Sequence, residues 1–245
     1  MRRMIISKSS LLTGRLLKNN LNCISKRGLR NRDNIINWGC GTKYKVKYLP
    51  KQFLNSRESV DIASNKLLTL DKLSEYGVNT VPYTTESNIA KALAGRYSIY
   101  CRTLLHSSKG KGIVITKDPY KVVECPLYTV GIKGVEYRVH VACNDVIGVS
   151  KKIKKSIYAN SEIKSHDNGY KLSRRDIDRV HTGIKQLGMD SIKALSLDFG
   201  AVDIIWDKDK KLGYVLEVNT APGLEDGSSI LREYIKKFAR FYNEG

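Results

Sequence analysis

Hydrophobic residues follow two different periods along the chain. Some stretches alternate apolar and polar positions, which is typical of half-buried strands, and others repeat apolar residues every three or four positions, which is typical of amphipathic helices. Strands are predicted at 98–102, 112–116, 136–142, 146–150, 196–206 and 213–219. Helices are predicted at 64–76, 87–94, 173–188 and 228–242. Hairpins that alternate with helices predict an α+β fold whose antiparallel sheets are covered on one face.

Turn residues mark several ends of these elements. Gly77 stands where a helix over 64–76 would end, and Gly188 where one that begins at Ser173 would end. Asn144-Asp145 is expected to form the hairpin turn between 136–142 and 146–150. Before residue 50, a strand at 4–7, a helix at 11–19 and a strand at 34–38 predict a small α/β unit.

Polar residues interrupt the strand YVLEVN at 214–219. Alternation places Glu217 and Asn219 on one face, with Leu216 and Val218 on the other. Asp203 interrupts the preceding strand FGAVDII in the same way, so pairing of the two strands would gather two carboxylates and an amide oxygen. Such oxygen donors suit magnesium together with substrate phosphates. An edge strand whose polar face meets water is the alternative.

Spacing along the strand bears on the number of ions. Glu217 and Asn219 would lie roughly 6.6 Å apart, a reach that suits two ions about 3.5–4 Å apart. The loop SSKGKG at 107–112 would supply complementary groups, because small residues let backbone N–H groups approach phosphate oxygens and its lysines add positive charge. The loop is not a P-loop, since no G-x-x-x-x-G-K-[ST] stretch runs into a helix.

Composition narrows the class of protein. The 245 residues are 41% hydrophobic, without an apolar run long enough to span a membrane, so a protein with a real core and no membrane partner is expected. The five cysteines are odd in number and contain no C-x-x-C pair, which argues against a disulfide framework or a zinc site. A reducing, cytoplasmic location is the expectation.

Positive charge is concentrated at the start of the chain. The formal net charge is +19, and residues 1–47 carry twelve Lys and Arg against the single acid Asp33. Such a field attracts nucleic acid, nucleotide phosphates or an acidic protein. A solvated basic face and an organellar transit peptide are alternatives, the second disfavoured by the predicted strand within the segment.

Four longer stretches occur in a fixed order over about residues 60–240. They are NKLLTLDKLSEYGVNTVP at 65–82, YCRTLLHSSKGKGIVI at 100–115, LYTVGIKGVEYRVHV at 127–141, and LDFGAVDIIWD at 197–207 followed by YVLEVNTAPGLE at 214–225. In these the sequence resembles the ATP-grasp superfamily, most closely its phage-encoded carboxylate–amine ligase-like branch, where INWGC at 36–40 also has a counterpart. The D…E-x-N motif is specific, whereas the glycine loop alone is not.

The resemblance implies two α+β subdomains that grip ATP between antiparallel sheets, beside a small N-terminal α/β unit. It implies a basic unit at 1–50, a subdomain with the glycine loop at 51–126, and a subdomain with the adenine hinge and magnesium site at 127–245. Two magnesium ions would be ligated by Asp203, Glu217 and Asn219.

The resemblance also implies the contacts of ATP. Lys66 and Arg102 would hold phosphates, with Arg102 standing where many relatives have lysine; Glu136 would meet the ribose. The glycine loop and the hinge would contribute Ser107, Ser108, Lys109, Gly110, Gly112, Tyr128, Thr129, Val130 and Ile132. Gly131 falls where relatives often carry a larger residue, which implies a looser adenine pocket.

Arg138 shares a strand face with Glu136, so it is a candidate for orienting the acceptor carboxylate or its phosphate. Lys151 and Lys152 are further candidates for that task.

The implied activity is that of an ATP-dependent carboxylate–amine ligase, which forms an amide through an acyl phosphate and releases ADP and phosphate. The basic N-terminal segment favours an acidic acceptor such as a peptide or protein tail. If the chain is phage-encoded, the reaction takes place in the host cytoplasm. Two alternatives remain: a nucleic-acid-binding protein that uses the fold as a scaffold or ATP-gated switch, and a phosphotransferase that stops at the phosphorylated product.

Overall fold

Three β-sheets organise the chain. The computed structural model describes residues 3–7, 12–23, 34–43, 52–107, 110–155, 163–164 and 167–244. A small parallel sheet contains β1 (Arg3–Ser7), β2 (Asn34–Trp38) and β3 (Gln52–Leu54). A four-stranded antiparallel sheet has the order β4 (Tyr83–Thr84), β7 (Leu127–Val130), β5 (Ile99–Arg102) and β6 (Ile113–Thr116). A five-stranded antiparallel sheet has the order β10 (Tyr170–Arg175), β9 (Asp145–Lys154), β8 (Val135–Ala142), β11 (Phe199–Asp207) and β12 (Leu212–Asn219).

Six α-helices cover these sheets within the described residues. They are α1 (Leu12–Asn20), α2 (Arg57–Ser64), α3 (Lys66–Glu75), α4 (Ser87–Leu93), α5 (Thr182–Ala194) and α6 (Ser229–Glu244). Two short 3-10 turns lie at Pro119–Lys121 and Ile177–Arg179. No helix of the described ranges is both long and apolar enough to cross a membrane.

The five-stranded sheet is covered differently on its two faces. Val139, Val202 and Ile204 point to one face and pack with Ile184 of α5 in the largest hydrophobic cluster. On the other face, α6 covers only the end near Phe199. The rest of that face is turned towards the four-stranded sheet, and Ile205 packs with Leu127 of that sheet. We call the space between the two sheets the cleft. Asp203 and Glu217 point towards it.

The small parallel unit shares a core with the C-terminal part of the chain. Trp38 stacks on Phe199 with ring centroids 5.4 Å apart, and Tyr234 of α6 meets Trp38 edge-on. The Asn55 side chain accepts a hydrogen bond from the Asp198 backbone at 2.7 Å and donates one to the Phe199 carbonyl. These contacts fix the unit against one end of the five-stranded sheet.

Most predicted elements are confirmed, but the helix over 173–188 is wrong. Residues 173–175 complete β10, and α5 begins at Thr182 and continues past Gly188 to Ala194. Gly188 is a close-packing residue, since an added Cβ would lie 2.6 Å from a methyl group of Val139. The predicted hairpin turn is displaced by one residue, because Cys143 and Asn144 adopt the positive φ angles that it requires.

Candidate active site

The carboxylate cluster forms as the strand pattern predicts. Asp203 of β11 pairs directly with Glu217 of β12 in antiparallel register, so both side chains point into the cleft. Asn219 follows on the same face and donates its Nδ2 hydrogen to Glu217 Oε1 at 3.2 Å. That bond leaves the Asn219 amide oxygen available to a cation.

A β-bulge beside Glu217 corrects one detail of the prediction. The register shifts between Asp203 and Ile204, so Leu216 is an extra residue on β12. Leu216 packs in the hydrophobic cluster at the cleft with Ile205, whereas Val218 packs on the α5 side. Leu216 and Val218 therefore do not share a face, and Leu216 contributes to the apolar wall next to Glu217.

Arg138 of β8 neutralises Asp203. Its Nε lies 2.6 Å from Asp203 Oδ1 and its Nη2 lies 2.7 Å from Oδ2, which is a two-pronged ion pair. Burial raises the pKa of Asp203, but the charge and hydrogen bonds of Arg138 outweigh it and lower the pKa to about 2. The carboxylate is therefore ionised at neutral pH, as a metal ligand must be.

The cluster fits magnesium in its donor chemistry. Two carboxylates and a free amide oxygen are hard oxygen ligands, and magnesium is held in proteins by one or two carboxylates plus substrate phosphates. Both oxygens of Asp203 already accept hydrogen bonds from Arg138, so Asp203 would share its remaining lone pairs. Glu217, Asn219 and Asp203 are the residues that would hold the metal.

Two cations face this cluster from the other subdomain. Lys66 stands at the first position of α3, and Arg102 ends β5. Burial is the largest cause of the lowered pKa of each, and the charge of Glu217 opposes that shift in both, which places all three groups in one electrostatic cluster. Arg102 Nε also donates to Thr129 Oγ1 at 3.3 Å. Buried cationic side chains such as Lys66 and Arg102 can form strong hydrogen bonds to phosphate oxygens.

The glycine loop approaches the same point. Lys66 Nζ donates to the Ser107 carbonyl at 2.5 Å and to its hydroxyl at 3.3 Å. Gly110 and Gly112 both have positive φ angles, and a Cβ on Gly110 would lie 2.7 Å from Ile163. The loop therefore reaches the segment between β9 and β10. Ser108 and Lys109 lie outside the described residues.

The hinge residues divide between two faces of β7. Thr129 points towards Arg102 and the cleft. Tyr128 and Val130 pack in the core under the four-stranded sheet, so only their backbone can border the cleft. Ile132 joins Leu216 in the apolar cluster between the sheets.

Glu136 forms ion pairs with two lysines, which the sequence did not predict. Lys152 Nζ is 2.7 Å from Glu136 Oε2, and Lys164 Nζ is 3.2 Å from Oε1. Burial alone would lower the pKa of Lys152, but the charges of Asp203 and Glu136 raise it. The Tyr170 hydroxyl is buried close to this group and has no hydrogen-bond partner among the described residues.

Lys151 and Lys152 are placed on opposite faces of β9. Lys151 pairs with Tyr137, which packs towards α5, so it is not brought to the carboxylate cluster. Lys152 is on the cleft face, as its contact with Glu136 shows. The signal that distinguishes them is strand alternation counted from Arg138 and its partner Ser150.

Two antiparallel sheets facing each other across a cleft lined with cations and carboxylates are the arrangement of the ATP-grasp fold. D-alanine–D-alanine ligase from Bacillus anthracis is similar at a TM-score of 0.68 and 16% identity, with 100% of this chain and 99% of that chain covered. The ATP-grasp ligase PsnB, solved with a minimal precursor, is similar at 0.68 and 9% identity over 97% of each chain.

A RimK domain ATP-grasp protein from Sphaerobacter thermophilus is similar at a TM-score of 0.63 and 12% identity, covering 100% of this chain and 98% of that one. The sequence matches no family model and no curated protein. At identities this low the likeness establishes the fold alone.

Proposed function

We propose that this protein is an ATP-dependent carboxylate–amine ligase that forms an amide through an acyl phosphate. The observation that carries the proposal is the pairing of Asp203 with Glu217, with Asn219 beside them, on a sheet face where the charge of Glu217 acts on Lys66 and Arg102. A site for a nucleoside triphosphate needs two sets of groups: carboxylates that hold a metal cation and fixed cationic side chains that hold the phosphates. The two walls of the cleft supply one set each.

The chemistry requires positioning and charge more than a protein nucleophile. An oxygen of the acid substrate attacks the γ-phosphorus, the bond to the β–γ bridging oxygen breaks, and ADP leaves. The amine nitrogen then attacks the acyl carbon, the bond to the phosphate oxygen breaks, and the nitrogen gives up a proton as phosphate departs. Bound magnesium, as two ions, would neutralise phosphate charge during these displacements.

Each residue has a defined task in this proposal. Lys66 and Arg102 hold phosphate oxygens, and the glycine loop closes over them through backbone N–H groups. Arg138 donates hydrogen bonds to Asp203 from one edge of its guanidinium. We propose that its remaining N–H groups orient the acid substrate or its phosphorylated form. Lys152, rather than Lys151, helps Arg138 to orient the acid or its phosphate, because Lys152 lies on the cleft face. Glu136 contacts the ribose once its ion pair with Lys152 or Lys164 is broken.

The acceptor is proposed to be acidic, since the chain carries a net charge of +19. PsnB, whose fold is similar, has been solved with a minimal precursor, magnesium and ADP. The resemblance of the motifs to the phage-encoded branch supports a phage origin, with the host cytoplasm as the site of the reaction.

Product release distinguishes the proposed activity from its alternatives. We expect purified protein with magnesium and ATP to release ADP and phosphate when given an amine together with acidic peptides. Glu217→Ala should lose at least roughly a hundredfold of this activity because it removes a metal ligand. Glu75→Ala is a matched control, because Glu75 is exposed and forms a surface ion pair with Lys72.

Equal turnover in Glu217→Ala and wild type would overturn the metal assignment. ADP release with a phosphorylated acceptor and without free phosphate would identify a phosphotransferase instead. The absence of turnover, combined with nucleic-acid binding that weakens steeply with salt, would favour the scaffold function.

A further inference from the structure

One buried hydroxyl in the cleft has no hydrogen-bond partner among the described residues. It belongs to Tyr170, the first residue of β10, which is only 4% exposed. Burying a hydroxyl without a partner is unfavourable, because the hydrogen bonds that it made to water in the unfolded chain are lost and not replaced. A ligand that brings a hydrogen-bonding group to Tyr170 would restore what folding removed.

Strand register places this side chain on the cleft face of the sheet. Tyr170 pairs with Lys154 of β9, and Lys152 precedes Lys154 by two residues, so the three side chains share one face. Lys152 contacts Glu136 on that face, and the charges of Glu136 and Lys152 both act on Tyr170. The free hydroxyl therefore lies beside the ion pairs of Glu136.

The groups around the hydroxyl include both donors and acceptors. Burial, and next the charge of Glu136, raise the pKa of Tyr170, whereas Lys152 lowers it. The hydroxyl is thus protonated at neutral pH and can donate as well as accept. Lys164 pairs with Glu136 and donates to the Gly134 carbonyl at 3.2 Å, so it closes the group from the segment before β10. A neutral ligand with hydroxyls suits this set better than a phosphate, which Glu136 would repel.

This group stands next to the carboxylates that are proposed to hold magnesium. Glu136 precedes Arg138 by two residues on β8, roughly 6.6 Å along the strand, and Arg138 pairs with Asp203. Burial lowers the pKa of Lys152, but the charge of Asp203, and next that of Glu136, raise it. A nucleotide whose phosphates lie at the carboxylates would therefore place its ribose, which adjoins the phosphates, over Glu136 and Tyr170.

We propose that the Tyr170 hydroxyl binds one hydroxyl of the ribose of ATP while Glu136 binds the other, and that Tyr170 makes the site select ribonucleotides over deoxyribonucleotides. A site that hydrogen-bonds a ligand hydroxyl rejects the analogue that lacks it, because the buried protein group is then left unpaired. The identity of the ligand as a nucleotide rests on the proposed function. Tyr170 itself lies outside the four stretches that carry the family resemblance.

The test measures the affinity of the full chain, with magnesium, for ADP, 2′-deoxy-ADP and 3′-deoxy-ADP by isothermal titration calorimetry. We expect wild type to bind each deoxy form roughly tenfold more weakly than ADP. Tyr170→Phe removes only the hydroxyl. In this variant the difference should fall to within about twofold for one deoxy form. It should persist for the other form, whose missing hydroxyl is the one that meets Glu136.

Tyr242→Phe is a matched control. Tyr242 is also buried, but its hydroxyl donates to the Met4 carbonyl in the small parallel unit, so the variant should keep both differences between sugars. Urea unfolding separates a ligand-binding role from a structural one. Tyr242→Phe should lower the urea midpoint because the Met4 carbonyl loses its donor, whereas Tyr170→Phe should not, since its hydroxyl has no partner to lose.

Three results would contradict the proposal in different ways. Unchanged sugar differences in Tyr170→Phe would overturn the role of the hydroxyl, and so would a urea midpoint as low as that of the control. Equal binding of ADP and both deoxy forms by wild type would overturn sugar selection while leaving nucleotide binding intact. A wild-type protein that binds none of the three nucleotides would overturn the proposed function and this inference together.

Discussion

Arg138 and Asp203 face each other on adjacent strands and join through two hydrogen bonds of 2.6 and 2.7 Å. The side chain of Asp203 is only 5% exposed and that of Arg138 18%. A charge pair this deep is costly to break, because the partner that remains is left buried without compensation. The pair therefore combines two tasks: it keeps Asp203, the proposed metal ligand, ionised and holds an arginine in the cleft.

Arg138→Met is expected to lower the free energy of unfolding by about 3–5 kcal/mol, since the buried carboxylate of Asp203 then loses both hydrogen bonds of its ion pair. Magnesium should recover part of the loss in the variant and less in the wild type. Urea unfolding with and without magnesium chloride measures both effects. Arg179→Gln is the control, because its pair with Asp176 is exposed and should contribute at most about 0.5 kcal/mol.

His140 predicts a loss of stability at mildly acidic pH. Burial, and next the positive charge of Arg138, lower its pKa to about 3, against an ordinary value of about 6.5. The unfolded chain takes up a proton below that ordinary value while the folded protein does not. Stability is thus full above pH 6.5 and falls as the pH drops towards the folded pKa, by about 2 kcal/mol between pH 7 and pH 5.

Urea unfolding at several pH values in wild type and His140→Gln measures this contribution. Glutamine keeps a polar group near the Tyr234 hydroxyl, which lies 3.3 Å from His140 Nδ1, but does not titrate. The wild type should lose about 2 kcal/mol more than the variant over that range. An identical pH profile would show that the pKa of His140 is the same in the folded protein and in the unfolded chain.

Lys152 and Lys151 form a natural pair of variants on the two faces of β9. Lys152→Met should weaken ATP binding by roughly tenfold, because it removes a cation beside Asp203 and Glu136. Lys151→Met should leave it within about twofold, since Lys151 lies on the face of Tyr137. Isothermal titration with magnesium and a non-hydrolysable ATP analogue compares them. Equal losses would indicate that binding depends on net charge alone.

Sequence patterns predicted the parts of this molecule that depend on local periodicity. The pairing of Asp203 with Glu217 follows from alternation on two strands close in sequence. The bulge at Leu216 could not be predicted, because an extra residue leaves no local signal in an apolar run. The prediction that Gly188 ends a helix is wrong, because this glycine is needed for close packing against Val139, which lies on a strand distant in the sequence.

Site residues that belong to a sequence motif could likewise be predicted. Contacts between residues distant in the sequence could not. Glu136 is predicted to contact the ribose, and the sequence does not show that Lys152 and Lys164 approach it from β9 and from the segment beyond it. The Asp203 ion pair with Arg138 required the register between β8 and β11, which are separated by a hairpin and a helix.

Gly39 provides a test of how the N-terminal unit supports the site. It has a φ of +80°, and an added Cβ would lie 2.7 Å from the Cβ of Ala221, two residues after Asn219. Gly39→Ala should destabilise the protein by about 2–4 kcal/mol through the left-handed backbone and the clash, and displace the loop that follows Asn219. Gly77→Ala has a φ of +69° but meets no atom within 4 Å, so it should cost only about 1 kcal/mol.

Urea unfolding of both variants, repeated with magnesium and ATP, distinguishes the backbone effect from the contact. Because ligand stabilises the folded state in proportion to its affinity, a displaced Asn219 should reduce the gain from magnesium and ATP in Gly39→Ala. Gly77→Ala should retain the full gain, since an added Cβ there would contact no neighbouring atom. Equal gains in the two variants would show that the small parallel unit stabilises the chain without positioning the metal ligands.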